Sequence, residues 1–242
     1  MFKTIKDFRE NLIKPMPLHE FEDYDEYWKR REKAKIEEHR FAPPTDRAKL
    51  ISEYIEPDST VLDIGCGDGT LIDYISRNNS PERIVGVDIS KEAVEYAKSR
   101  GYEAYKMDMT SDIFRSFVQE NGFDYIILTE VLEHIREPEK VMLNIRDCFA
   151  KSIFVSIPNS GWLMHRLRLL CGRFPIVVII YHVKEHVRFW THRDFLYWSE
   201  HLGFRVVRYK ASSGSKKLGI DLGRRWPSLF GIQIVYELDK KL

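Results

Sequence analysis

Three cysteines in 242 residues, Cys66, Cys148 and Cys171, stand far apart and form no CxxC pair. That scarcity excludes a disulfide framework and a cysteine-built zinc site, and it suits a reducing compartment. No segment approaches the ~18 consecutive apolar residues of a membrane-spanning helix. The longest greasy run, Phe174 to Tyr181, is far too short. The opening stretch MFKTIKDFRENLIKPMP has scattered charges and no apolar core, so no signal peptide is expected there. Neither charge sign dominates: 38 Lys+Arg against 37 Asp+Glu leave a net charge of +1 and no global field for nucleic acid. Internal repeats and low-complexity tracts are missing as well. The expectation is a soluble cytoplasmic protein, and 43% apolar residues suffice to build its core.

Residues 1–42 form the first unit. The stretch EFEDYDEYWKRREKAKIEEHRF mixes both charge signs with aromatics and helix formers, without Gly or Pro. It reads as a helical extension, one helix or two, lying on something else rather than around a core of its own. Pro43-Pro44 ends it. Thr45 then caps a short helix to about Ile55, with Ala48, Ile51 and Ile55 on one face.

Residues 43–242 form the second unit. From Thr60, apolar runs of four to six residues (TVLDIG, RIVGVDI, YEAYKMD, FDYIILTE, SIFVSIP) alternate with helical stretches. Five such alternations predict a Rossmann-like, doubly wound α/β sheet, mostly parallel and covered on both faces. An insertion at about 161–190 interrupts the pattern after the fifth strand. THRDFLYWSEHLG then resumes as a helix, with Thr191 and Asp194 in capping-box spacing and Gly203 as its stop. FRVVRYK and FGIQIVYEL read as two final strands, bringing an antiparallel strand near the C-terminus.

The first strand ends in Asp63-Ile64-Gly65-Cys66-Gly67-Asp68-Gly69. Glycines at 65, 67 and 69 keep side chains away from the crevice where open α/β sheets bind ligands. A dinucleotide fingerprint would place glycine at 70, which is Thr70. Asp63 instead sets a carboxylate at the strand's end, aimed at a cationic amine rather than a pyrophosphate. A nicotinamide-dependent dehydrogenase is therefore the weaker alternative, and a non-catalytic cofactor-binding or partner-binding module is another.

DIGCGDG resembles motif I of the class I S-adenosylmethionine-dependent methyltransferases. The order continues with Val87-Asp88-Ile89, Lys106-Met107-Asp108-Met109 and Thr129-Glu130-Val131-Leu132-Glu133-His134 at the next strand ends. Within that class the chain most resembles the MetW-type branch, related to the ubiquinone-pathway methyltransferases. This second likeness rests on Pro158-Asn159, Trp162, Arg166-Leu167, the run Leu169 to Pro175, Thr191-x-x-Asp194-Phe195 and Leu202-Gly203-Phe204. The resemblance implies S-adenosylmethionine as cofactor. Asp63 and Gly65 would hold its amine, with Cys66, Gly67 and Gly69 completing the loop. Asp88 would accept from the ribose diol and Asp108 from the adenine amino group, while Ile89, Met107 and Met109 offer soft faces to the ring. Thr129 and Glu130 would close the site.

The implied reaction is transfer of a methyl group to an O or N atom of a small-molecule acceptor by in-line displacement. Such a transfer needs alignment and exclusion of water, and a neutral acceptor also gains from a base. Among eight histidines, His134 beside the crevice and His186 in Glu185-His186-Val187 are the catalytic candidates. For His165, His182, His192 and His201 a surface or capping role is expected. No HxxxH pair or carboxylate cluster marks a metal site. Trp162 to Tyr181 interleaves arginines with bulky apolar residues, which suits a lid over an anionic or amphiphilic acceptor, or else transient contact with a membrane surface. The N-terminal extension and this insertion are expected to close together over the acceptor pocket.

Overall fold

Val61 and Leu62 are both fully buried although they point to opposite faces of their strand, because helices cover both sides of the sheet. The computed structural model describes residues 9–10, 12–38, 46–176, 182–214, 216–217 and 220–241. Helices α1 (Tyr24–Glu38) and α2 (Asp46–Ser52) precede five strand–helix units. These are β1 (Thr60–Ile64) and α3 (Thr70–Asn79), β2 (Arg83–Asp88) and α4 (Lys91–Ser99), and β3 (Glu103–Lys106) and α5 (Asp112–Asn121). They continue with β4 (Phe123–Thr129) and α6 (Pro138–Ile145), then β5 (Phe149–Pro158) and α7 (Leu163–Leu170). Helix α8 (His192–His201) leads to β6 (Phe204–Gly214), and β7 (Gly231–Lys240) closes the sheet.

The strand order is 3-2-1-4-5-7-6. Strands β1 to β5 pair in parallel, and β7 runs antiparallel to both β5 and β6. The order reverses between β1 and β4, which opens a crevice at their carboxyl ends. One face of the sheet packs Leu62, Ile64, Val85 and Val87 against Phe114, Met142 and Phe195. The other packs Val61, Tyr125, Ile127 and Phe154 against Leu50, Ile51 and Ile55.

Local signals held where their chemistry is local. Thr191 and Asp194 form the capping box of α8, and Gly203 takes φ 88° just beyond it. Helix α2 ends at Ser52 rather than near Ile55, yet Ile55 is buried in the turn that follows. Pro43, Pro44, Thr45, Phe41 and the end of the greasy run (177–181) lie outside the described residues. Between β6 and β7 the sequence pattern showed only a loop; the chain there forms a short two-stranded ribbon and two one-turn helices, Leu222–Arg225 and Pro227–Phe230.

Asn159, just beyond β5, ties distant segments together. Its buried amide donates to the carbonyls of Pro227, Ser228 and Gly231 (3.2, 3.3 and 2.8 Å) and its Oδ1 accepts from Gly161 N and His192 N. One side chain thus pins β5, α8 and the start of β7. Asn159→Ala should cost about 3 kcal/mol, since it strands several buried backbone groups. At roughly 2–4 °C per kcal/mol the melting temperature falls by on the order of 10 °C. A melting scan showing no change would remove this hub role.

The two decorations touch each other, and the first of them touches the start of α4. Asp25 of α1 accepts from Ser90 Oγ (2.6 Å) at the start of α4, and Lys29 pairs with Glu92 at 3.4 Å. Arg168 of α7 is buried rather than solvated, because its guanidinium donates to the carbonyls of Leu12 (3.2 Å), Lys14 (2.7 Å) and Phe174 (3.0 Å). Lys184 reaches Glu20 and the Phe21 carbonyl. No helix among the described residues is long and apolar enough to cross a membrane.

Candidate functional site

The turn after β1 bends away from the sheet through three left-handed residues, Gly65 (φ 69°), Gly67 (φ 55°) and Gly69 (φ 77°). Only glycine adopts this series without strain. Gly65 N and Cys66 N both donate to the Val87 carbonyl (2.7 and 3.1 Å), tying the turn to β2. A side chain at Gly65 would collide with Val131, and one at Gly67 with the indole of Trp28 from α1.

Asp63 is 1% exposed, and neither of its carboxylate oxygens has a hydrogen-bond partner. Burial holds the group well above the usual carboxylate range, with Asp88 and Asp68 adding repulsion. A buried carboxylate left alone costs several kcal/mol. An ammonium group would satisfy it, and S-adenosylmethionine carries one beside a sulfonium. The residues of the turn fit that group.

Asp88 is oriented in advance. Its Oδ2 accepts from Gly67 N (3.0 Å) and its Oδ1 from Ser90 N (2.9 Å), leaving each oxygen a further lone pair for a diol. Burial raises its pKa, and the amide hydrogen bonds pull against that. Ile89 is exposed beside it. Asp108 is exposed too, with Oδ1 accepting from Thr110 N and Oγ1. Met109 is 6% exposed and belongs to the core cluster that includes Leu128 and Val141, so its side chain offers little surface to a ring. Cys66 likewise packs its side chain against Ile72, Val94 and Ala97, and burial pushes its thiol pKa up. Only its backbone remains for a ligand.

At the end of β4, Thr129 is half-buried and Glu130 adopts φ 56°, an unusual conformation for a residue with a side chain. Ser156 Oγ (2.9 Å) and Gln233 Nε2 (2.7 Å) hold the Glu130 carboxylate, and Arg47 lies 3.7 Å away. The 3-10 turn Leu132–His134 follows. His134 Nδ1 lies 2.7 Å from the Glu185 carbonyl, which can only accept; the imidazole therefore donates there and keeps its lone pair on Nε2. Burial lowers the His134 pKa, with the hydrogen bond to the Glu185 carbonyl pulling against it. The His186 ring lies 4.8 Å from that of His134, and burial lowers the His186 pKa to about 3. Both Glu133 oxygens and His186 Nδ1 are buried without partners. Val187 N and Arg188 N donate to the Glu133 carbonyl (2.8 and 3.1 Å), which fastens the two segments together. The Tyr24 ring of α1 meets His134 edge-on at 6.0 Å.

The sequence alone assigns Glu133 no role and marks no metal cluster. Potential ligand atoms of Glu133, His134 and His186 nevertheless lie within 4.8 Å of one another. Fifty-one residues separate His134 from Glu185, so only the fold joins them. His182 caps its turn as expected, accepting from Lys184 N. His165 and His192 do not lie on the surface: both are buried, His192 against Tyr236 (2.9 Å) and His165 against Trp162.

Fold and crevice define the class: an S-adenosylmethionine-dependent methyltransferase of class I. Residues 45–238 match the family described as methionine biosynthesis protein MetW, and the chain belongs to that family. It is 25% identical over 170 residues to a ubiquinone biosynthesis O-methyltransferase of Aeromonas salmonicida, covering 66% of this chain and 70% of the relative. It is 28% identical over 165 residues to the juvenile hormone acid O-methyltransferase of Bombyx mori, covering 65% of this chain and 52% of that protein. Among solved structures, a TehB-like S-adenosylmethionine-dependent methyltransferase from Corynebacterium glutamicum superposes with a TM-score of 0.58 at 18% identity. That match covers 90% of this chain and 98% of the other and shows the shared fold.

Proposed function

We propose that the protein transfers the methyl group to an oxygen of a small-molecule acceptor, bound at the His134 end of the crevice. The observation that carries this reading is the 2.7 Å hydrogen bond between His134 Nδ1 and the Glu185 carbonyl, which leaves the Nε2 lone pair to accept a proton. The O-methyltransferase relatives support oxygen over nitrogen.

When bound, S-adenosylmethionine supplies a methyl group that is already electrophilic, so the chain's work is alignment and exclusion of water. Asp63 takes the ammonium, Asp88 accepts from the ribose hydroxyls and Asp108 from the adenine amino group, beside the exposed face of Ile89. Thr129, Glu130 and the backbone of residues 65–69 wall the crevice. His134 accepts the hydroxyl proton of the acceptor as the new oxygen–carbon bond forms. The His186 ring packs edge-on against His134, 4.8 Å away. Helix α1, through Tyr24 and Trp28, and the segment around His186 keep water out as one cover.

Cofactor consumption screened over phenols, quinol precursors, sugars, carboxylic acids and amines, read by product mass, should give an O-methylated product. An N-methylated product alone would refute the oxygen assignment. Calorimetry then separates the roles. Asp88→Ala should weaken cofactor binding by about 1.5–3 kcal/mol, the value of hydrogen bonds to a charged acceptor. His134→Ala should leave that affinity nearly unchanged while turnover falls ~10²- to 10⁴-fold. Equal loss of affinity in the two variants would move His134 into the cofactor shell.

A further inference from the structure

The acceptor end of the crevice holds a group of side chains that a base alone does not explain. Glu133 is 1% exposed and its two oxygens lack a hydrogen-bond donor among the described residues. His186 is 6% exposed with Nδ1 unpartnered. Two orphaned polar groups packed side by side are costly in a protein interior and call for a shared partner.

We infer that Glu133, His134 and His186 form a binding site for one divalent transition-metal cation of the zinc, cobalt or manganese type. Two imidazoles with one carboxylate are a donor set suited to such ions, which leaves positions open for an external oxygen. The ligand atoms already lie within 4.8 Å of one another. Ligands ~2.0–2.2 Å from a common ion stand about 3.0–3.5 Å apart, so modest side-chain rotation closes the set. His134 is prepared for the role: by donating Nδ1–H to the Glu185 carbonyl it directs the Nε2 lone pair outward, as ligating histidines usually do. The paired hydrogen bonds from Val187 N and Arg188 N to the Glu133 carbonyl fix the spacing of the two ligand segments. The strained backbone of Glu130 sets the turn that presents Glu133 and His134 together.

This site rests on the proposed methyl-transfer reading only for its use. With the ion bound, the cation would hold and polarise the acceptor's oxygen, favouring acceptors with two adjacent oxygens. His134 would then act as a ligand, and the acceptor's hydroxyl, made more acidic by the cation, would lose its proton to solvent before the methyl group is transferred. The Tyr24 ring edge at His134 places α1 over the same site.

The test needs no acceptor and no cofactor. Full-length protein, stripped with chelator and dialysed, is titrated with Co²⁺ and with Zn²⁺ against a chromophoric chelator. One ion per chain is expected, with a visible cobalt absorption band. Glu133→Gln and His186→Ala should each lower affinity at least tenfold, and the exposed His201→Ala should leave it unchanged. Melting curves of the metal-free variants confirm folding; if either variant fails to fold, stoichiometry and the cobalt band of the parent still decide. Fewer than ~0.1 ions per chain, or equal affinity in the parent and in Glu133→Gln, would overturn the site. In either case His134 remains available as the base. Loss of cofactor binding, by contrast, would leave the metal titration untouched.

Discussion

Replacing Asp63 with asparagine should weaken S-adenosylmethionine binding by about 2–4 kcal/mol, the range seen when one partner of a buried, hydrogen-bonded charge pair is removed. That is roughly 30- to 1,000-fold in dissociation constant. The unliganded variant should be at least as stable as the parent, because the parent buries a carboxylate with no partner. A binding defect with no folding defect separates a ligand group from a structural one. The pH dependence follows from the same burial. The Asp63 pKa is raised in the folded protein, so its ionisation opposes folding. That penalty is absent below the unfolded value near ~3.9 and grows as pH rises through the window up to the folded pKa. A bound ammonium favours the carboxylate, so cofactor binding releases a proton within that window and affinity falls as pH falls. Calorimetry in buffers of different ionisation enthalpy reads the proton release, and Asp63→Asn should reduce it. A variant that melts many degrees lower while binding the cofactor normally would show that Asp63 serves the fold alone.

Removing residues 1 to 41 should lower turnover on the true acceptor by at least ~100-fold, while cofactor affinity changes by less than about tenfold, or 1.4 kcal/mol. The cover over the crevice consists of Tyr24 at His134, Trp28 against Gly67 and Asp25 on the start of α4. The groups assigned to the ribose and the amine belong to the sheet and its turns. Loss of the cover admits water and releases the acceptor, which acts on turnover rather than on the sheet's own contacts. The rival is simple destabilisation, since Phe21 and Tyr27 are buried and Arg168 would lose two carbonyl partners. A melting scan decides between them: a collapse of the melting temperature favours the rival. Turnover at the full-length rate would mean that the extension is no lid.

The alternation of strands and helices was legible because fully buried parallel strands must be apolar on both faces, as Val61, Leu62 and Ile64 are, with Asp63 the one charge among them. Glycines 65, 67 and 69 were legible because left-handed backbone demands them, and the Thr191–Asp194 box because both partners sit within one turn. What stayed hidden depends on contacts between distant segments. Arg168 reads as one of the arginines of a lid, and only the fold brings the carbonyls of Leu12 and Lys14 to it. Met109 reads as a ring-facing residue until the fold turns it into the core. His165 and His192 look exposed in a polar context and are buried against aromatic rings. Glu133 reads as one residue of a strand-end motif, and its isolation shows only when the segment carrying His186 packs against it.

Calorimetric and thermal titration of the full-length protein with S-adenosylmethionine, S-adenosylhomocysteine and NAD is the most direct measurement. The two adenosyl ligands should each bind at one site, and at 100 times the dissociation constant each should stabilise the fold by roughly 2.7 kcal/mol. NAD should neither bind nor move the melting curve. A curve shifted by NAD and unmoved by S-adenosylmethionine would contradict the assignment of the crevice formed by Asp63, the glycine turn and Asp88.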